Sequence, residues 1–398
     1  MDKDMPAYRT VSETADAWGV TKRRVNMYIA GGRIPGVVRT GHLWLIPNDA
    51  VKPGDRRGAV KPTAYDLFED LNSLIEVVER PWPQNDPDAI LPMVIEDRLR
   101  LQLEGRLAYL RGDCARVVRC FRQLEGDTAA KLYASSLTIA AAIGIGDYPL
   151  YLEIETFLHH IIKEYGEKTP ISAFAELCLA TASTGTITPA MVPEWLKEGD
   201  FSRLPAKVRP DAVYKHAKYL QSIGSFESML VTAKIAISLC CSENTMSFHD
   251  IYFRVICAAA CTGLRRMDEV TFWLKDAISL ALPHGFIMPI AESAIAFHGL
   301  LEQLLEREYS TRKNIFFKLW ENAFANWVSF HNHFTKDNIT CILSMREQEI
   351  AIMVTYRIPR MQIAEQLHIS EGRLNNIIGE IYEKLHISSR DELTKYIF

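Results

Sequence analysis

The sequence predicts a mainly α-helical chain, and three observations carry that prediction. From about Leu91 onward apolar residues recur with helical periodicity, broken by glycines at regular intervals. Each end carries two short helix patterns joined by a turn, the arrangement of a helix-turn-helix. Strand-like alternation is confined to one short stretch near residues 31–47, directly after the first of these pairs. The expected architecture is therefore an N-terminal winged helix-turn-helix, a central solenoid of α-helical hairpin repeats, and a C-terminal four-helix bundle holding a second helix-turn-helix. The corresponding boundaries are 1–63, 64–335 and 336–398.

At 398 residues and 48% hydrophobic composition, the chain is long enough for two or three domains with real cores. Its net charge of −4 is unevenly spread. Residues 1–63 hold 11 Lys/Arg against 6 Asp/Glu, residues 336–398 hold 8 against 9, and the middle holds 26 against 34. Only the N-terminal piece, at +5, has the positive excess that favours phosphate contact.

In the N-terminal piece, Thr10 to Trp18 places Val11, Ala15 and Trp18 on one face of a helix that stops at Gly19. Val20 then turns inward and Thr21 caps a second helix. That helix buries Val25, Tyr28 and Ile29 and leaves Lys22, Arg23 and Asn26 facing outward near its N-terminal end. This is the end of a recognition helix that meets base edges, where Arg reads guanine and Asn reads adenine. Residues 31–47 follow as a two-stranded hairpin whose tip is Arg39, Thr40, Gly41 and His42, a basic wing. With Ala-x-x-x-Gly-Val-Thr, Gly-Arg-Ile-Pro and Trp-Leu-Ile-Pro in order, the segment resembles the winged helix-turn-helix of excisionases and MerR-type regulators. The resemblance implies a helix in the major groove and a wing on the backbone or minor groove.

Lys52 to Pro62 is rich in Pro, Gly and charge and reads as a linker. A short helix over Ala64–Val78 follows, then the proline-rich stretch Pro81–Pro87. Beyond it, Gly112, Gly146, Gly185, Gly224 and Gly263 mark helix corners at spacings of 34, 39, 39 and 39 residues. Each follows a run rich in small residues, which lets a paired helix approach, and each could take the left-handed conformation that ends a helix. A period in the thirties is that of stacked helical hairpins. Residues 91–335 resemble tetratricopeptide-like repeats of the longer kind found in sensor domains of some bacterial activators. The aromatic residues between Phe316 and Trp327 have helical spacing and are expected to pack.

At the C-terminal end, Leu343, Ile350, Ile363, Leu367, Leu374, Ile378, Ile381 and Leu385 supply the apolar face of a compact bundle, and Ser370 is placed to cap its recognition helix. The Arg-Glu-x-Glu opening at Arg346, the Ile-Ala-x-x-Leu-x-Ile-Ser run from Ile363, Ile-Tyr-x-Lys-Leu from Ile381 and the late Ser-Arg pair resemble the LuxR-type C-terminal helix-turn-helix. The chain departs from that family where Asn375 stands at the usual lysine, Ile377 at the usual histidine, and Tyr356-Arg-Ile-Pro-Arg in place of a glycine-bearing turn. Arg373, Asn375 and Asn376 are the candidate DNA contacts there. The alternatives are a fold retained for dimerisation or for touching RNA polymerase.

Catalytic machinery is not legible. There is no Gly-x-x-x-x-Gly-Lys-Ser/Thr loop, since Gly166-Glu-Lys-Thr lacks both the upstream glycine and the Gly-Lys step, and there is no Gly-x-Ser-x-Gly elbow. His159, His160, His331 and His333 lie at spacings that share no helix face, so neither a metal nor a cofactor is expected. The eight cysteines are expected to be reduced core thiols. The first residues have no signal-peptide core, and no run of about 18 apolar residues occurs, so a cytoplasmic protein without a membrane partner is expected.

Together these features predict a non-enzymatic bacterial transcription regulator. Duplex DNA would be its partner through Thr21, Lys22, Arg23, Asn26, Arg39 and His42, with the C-terminal residues as a second contact or dimer interface. The acidic middle would sense a small molecule, a peptide or a protein, and a homodimer is expected. The alternative is a helical-repeat scaffold whose terminal modules bind proteins.

Overall fold

The computed structural model describes residues 8–30, 34, 36–40, 43–48, 50–52, 63–240, 244–297, 300–336, 343, 345–385 and 387–397. It is mainly helical, and it divides into two compact units, Met1–Pro62 and Thr63–Phe398.

In the first unit, strand β1 (Tyr8–Thr10) leads into helix α1 (Val11–Trp18), followed by helix α2 (Lys22–Ala30) and strands β2 (Val38–Thr40) and β3 (Leu43–Pro47). Thr10 starts α1 with a reciprocal cap: its side chain accepts from the Glu13 amide while the Glu13 carboxylate accepts from the Thr10 amide at 2.8 Å. Gly19, at φ +61°, closes the helix. The Thr21 hydroxyl then accepts from the Arg24 amide at 3.3 Å and starts α2. Val25, Tyr28, Ala15, Ile34 and Ile46 form the core. The sheet is antiparallel with β3 in the centre, Arg39 opposite Trp44 and Arg9 opposite Ile46. The sequence reading had no place for β1, which closes the second edge of β3. It also put Arg39 and Thr40 at the hairpin tip, whereas both are strand residues; Gly41 and His42 lie outside the described residues.

The second unit opens with α3 (Ala64–Val78), which buries Leu67, Leu71, Leu74, Ile75 and Val78. Then come α4 (Asp97–Leu110), α5 (Cys114–Gln123), α6 (Thr128–Ile145), α7 (Tyr148–Tyr165) and α8 (Pro170–Gly185). The short α9 (Glu194–Glu198) precedes α10 (Arg209–Ser222), α11 (Phe226–Cys240), α12 (His249–Gly263) and α13 (Met267–Ala281). Consecutive long helices pack on one another around two extended cores. A two-stranded pairing of Trp82–Pro83 with Thr245–Met246 ties the start of the body to its middle. After α14 (Met288–Ala291) and α15 (Leu300–Glu308), the 26-residue α16 (Ser310–Thr335) runs back over the earlier helices. One helix, α6, is long and apolar enough by length and composition to cross a bilayer, but most of it is buried inside the body.

The glycine corners divide into two kinds. Gly112 and Gly146 take φ of +83° and +74°, and α16 passes directly over both: a Cβ would meet the Leu319 side chain at 2.6 Å in one and the Asn326 side chain at 2.8 Å in the other. Gly185 and Gly263 instead remain inside their helices, and the left-handed residues nearby are Ile187 and Arg265. Of the described cysteines, Cys114, Cys120, Cys178, Cys257 and Cys261 are buried as expected, whereas Cys240 is exposed at the end of α11.

The chain ends in α17 (Met345–Thr355), α18 (Arg360–Gln366), α19 (Glu371–Lys384) and α20 (Arg390–Ile397), packed around Ile350, Ile363, Leu374, Ile378 and Ile381.

Candidate nucleic-acid interface

Helix α2 is amphipathic because its buried residues fall one turn apart. Val25 and Tyr28 are essentially inaccessible, so Lys22, Arg23 and Asn26 are forced to the outer face, and all three are exposed. Among the described residues none of the three enters a hydrogen bond or ion pair. Arg24 differs, since its Nε donates to the Tyr28 hydroxyl at 3.1 Å and its half-buried side chain belongs to the packing. Arg39 is exposed on β2, its guanidinium 5.3 Å from the ring of its cross-strand partner Trp44, which holds the cation in place without neutralising it. Both α2 and β3 pack on α1. The exposed cations and the amide are therefore mounted on one small rigid frame.

In the C-terminal bundle the spacing of the motif residues acquires a physical reason. Arg346 donates to the Leu367 carbonyl at 2.8 Å, fixing the end of α18 against α17. Glu347, buried, accepts from Lys384 Nζ at 2.6 and 2.8 Å, fixing the end of α19. Ser370 caps α19 by accepting from the Arg373 amide at 3.2 Å. Leu374, Ile378 and Ile381 face inward, which leaves Arg373, Asn375 and Asn376 exposed. Asn375 is already engaged, because its Oδ1 accepts from Arg360 Nη1 at 2.9 Å. Glu371, Glu380 and Glu383 are exposed on the same helix, so this outer face has mixed charge. In the turn before α18, Arg357 stands at φ +58°, a conformation that favours glycine.

Residues 341–397 match GerE, the bacterial regulatory proteins of the luxR family. The chain therefore carries a LuxR-type helix-turn-helix. The match supports a DNA-binding transcription regulator at the level of the family, a type that is generally non-enzymatic. No curated protein and no solved structure matches the chain.

The helical body holds a feature that the sequence reading missed, a cavity of about 190 Å³ lined by α4, α6, α8, α10, α12, α14, α16 and the end of α17. Its polar groups include a buried triad: Lys215 donates to Asp211 at 2.5 Å and to the Ser136 hydroxyl at 3.0 Å, and His249 lies 3.4 Å from the other Asp211 oxygen. Burial pushes the Asp211 carboxyl up, but Lys215 and His249 outweigh it and hold the group well below the usual carboxylate range. Beyond the triad, Arg106 pairs with Glu79 at 2.6 Å and also bonds the Tyr133 hydroxyl. Among the described residues no group of three or more His, Cys, Asp and Glu side chains is arranged to hold a metal ion. His331 is tied to the Thr186 carbonyl at 2.6 Å, and His160 pairs with Glu164 at 3.0 Å.

Proposed function

We propose that the chain is a DNA-binding transcription regulator in three modules, whose N-terminal winged helix-turn-helix, residues 1–63, supplies most of the DNA affinity. The observation that carries this reading is the outer face of α2, where Lys22, Arg23 and Asn26 stand exposed and unengaged among the described residues, next to the Thr21 cap. A cation with no internal partner gives up little on meeting a phosphate, and a helix N-terminus adds its own attraction for an anion. Arg39 on the wing adds a further exposed cation, with His42 three residues on in sequence. The acidic helical middle, read as tetratricopeptide-like and as the sensor of a ligand or protein partner, repels DNA and confines contact to the ends.

For the C-terminal module two roles remain in view. Exposed Arg373 and Asn376 favour a second DNA contact. The Arg360–Asn375 hydrogen bond and the exposed glutamates of α19 favour a surface for a second copy of the chain or for RNA polymerase.

The test is the salt dependence of duplex affinity for the full chain. Wild type should lose affinity linearly with the logarithm of salt concentration, and the Lys22→Ala/Arg23→Ala variant should have a slope smaller by about 1 to 2 with weaker binding throughout. Equal slopes and equal affinities would remove the N-terminal reader and leave the scaffold reading standing.

A further inference from the structure

Two opposite charges face the cavity in the helical body without neutralising each other. Lys218, on α10, donates to Gln221 Oε1 at 3.0 Å and enters no ion pair among the described residues. Glu292, just past α14, accepts from the Tyr109 hydroxyl and is also bonded by Tyr252, and it too has no cation within ion-pair distance among the described residues. Protein surrounds both groups, and yet Glu292 has an exposed side chain and Lys218 a half-exposed one; the open space they face is the cavity. Burial moves both toward neutrality, raising the Glu292 carboxyl and lowering the Lys218 ammonium. A ligand that carries both an anion and a cation could complete the two charges that the cavity wall leaves without an ion pair.

Apart from the Lys215–Asp211–His249 triad, much of the wall is aromatic and apolar, with Tyr214, Phe248, Trp320 and Met288 facing the same space. Ile187 also lines it at φ +54°. That conformation is disfavoured for a β-branched residue, and strain of this kind collects at ligand sites. The cation side of the cavity is connected to the C-terminal module. Gln221, which accepts from Lys218, donates through its Nε2 to the Tyr356 hydroxyl at 3.5 Å, and Tyr356 follows directly on α17 and packs against Phe226.

From these contacts we infer that the cavity binds a free α-amino acid, its carboxylate on Lys218, its ammonium on Glu292 and its side chain against the aromatic wall. Occupancy reaches the LuxR-type module through Gln221 and Tyr356. A ligand carboxylate that draws the Lys218 ammonium toward itself takes that donor from Gln221, frees the amide to turn, and so changes what holds Tyr356. Only this coupling rests on the regulator reading; the binding itself does not.

The experiment is isothermal titration of the purified full chain with each of the twenty standard L-amino acids, followed by the decarboxylated amine and the N-acetyl derivative of the tightest binder. One or more should bind one-to-one with Kd below about 1 mM, and both derivatives should bind at least about tenfold more weakly. Lys218→Met and Glu292→Gln should each weaken the parent amino acid by about tenfold or more, while Lys22→Ala/Arg23→Ala should bind it as wild type does. Without ligand, Lys218→Met should melt close to wild type, because it removes a half-exposed ammonium that makes no ion pair among the described residues; that result also shows that the variant folds. The proposal is overturned if none of the twenty binds, if either derivative binds as tightly as its parent, or if the two cavity variants leave affinity unchanged. DNA affinity is measured separately, so a failed DNA reader and an empty cavity give different results.

Discussion

Lys215 is 2% exposed on α10, and its ammonium is tolerable there because Asp211 stands one turn away. Asp211→Asn leaves that ammonium buried without its anion, and urea unfolding at pH 7 should show a loss of about 3 kcal/mol. The depressed Asp211 carboxyl contributes stability that is complete above the unfolded value near pH 4 and drains away as the pH falls through the lower folded value. The gap between wild type and Asp211→Asn should accordingly narrow as the pH falls below about 4; a gap independent of pH would mean that the pair does not stabilise the fold. Gly146 is constrained twice, by φ +74° and by the Asn326 side chain 2.8 Å from where a Cβ would stand. Gly146→Ala should therefore cost about 2 kcal/mol, whereas Gly372→Ala, at a glycine with nothing within 4 Å, should be close to neutral by the same assay.

Among the elements, the turn between α17 and α18 offers a sharp test of sequence against structure. Arg357 occupies a left-handed position at φ +58° where the LuxR pattern carries a glycine-bearing turn, and Arg357→Gly should raise stability by up to about 1 kcal/mol. An unchanged or lower melting temperature would show that the arginine side chain compensates for its backbone. What was legible in the sequence followed local rules: the Thr21 and Ser370 caps, the bounds of α3, and the alternation of buried Val25 and Tyr28 with exposed Lys22, Arg23 and Asn26 are set by residues within one or two turns. What was missed depends on partners far along the chain. Strand β1 exists because β3 lies 35 residues further on to pair with it, and Trp82 meets Met246 across 164 residues. No local pattern announces a cavity assembled from eight helices, and nothing in the sequence around Lys218 marks it as a residue of one. Gly185 and Gly263 fitted the repeat period, yet their corners are turned by Ile187 and Arg265, so spacing alone overstated what those two glycines do.

For the molecule as a whole, the charge distribution and the seating of the C-terminal module set the expectations. The excess of positive charge lies in residues 1–63 and the excess of negative charge in the middle. The LuxR-type module, in contrast, touches the helical body, with Tyr356 on Phe226 and Gln221, and with Met353, Ile358 and Gln362 lining a second cavity shared with Arg265 and Phe297. The outer face of its α19 is exposed. The central claim is that the N-terminal helix reads DNA and the C-terminal module has the lesser share of the affinity. It is tested most directly by measuring, at one salt concentration and on one cognate duplex, the affinity of the full chain beside Lys22→Ala/Arg23→Ala and Arg373→Ala/Asn376→Ala. The first pair should cost about tenfold or more and the second pair markedly less. A larger loss from the second pair, or none from the first, would contradict the account.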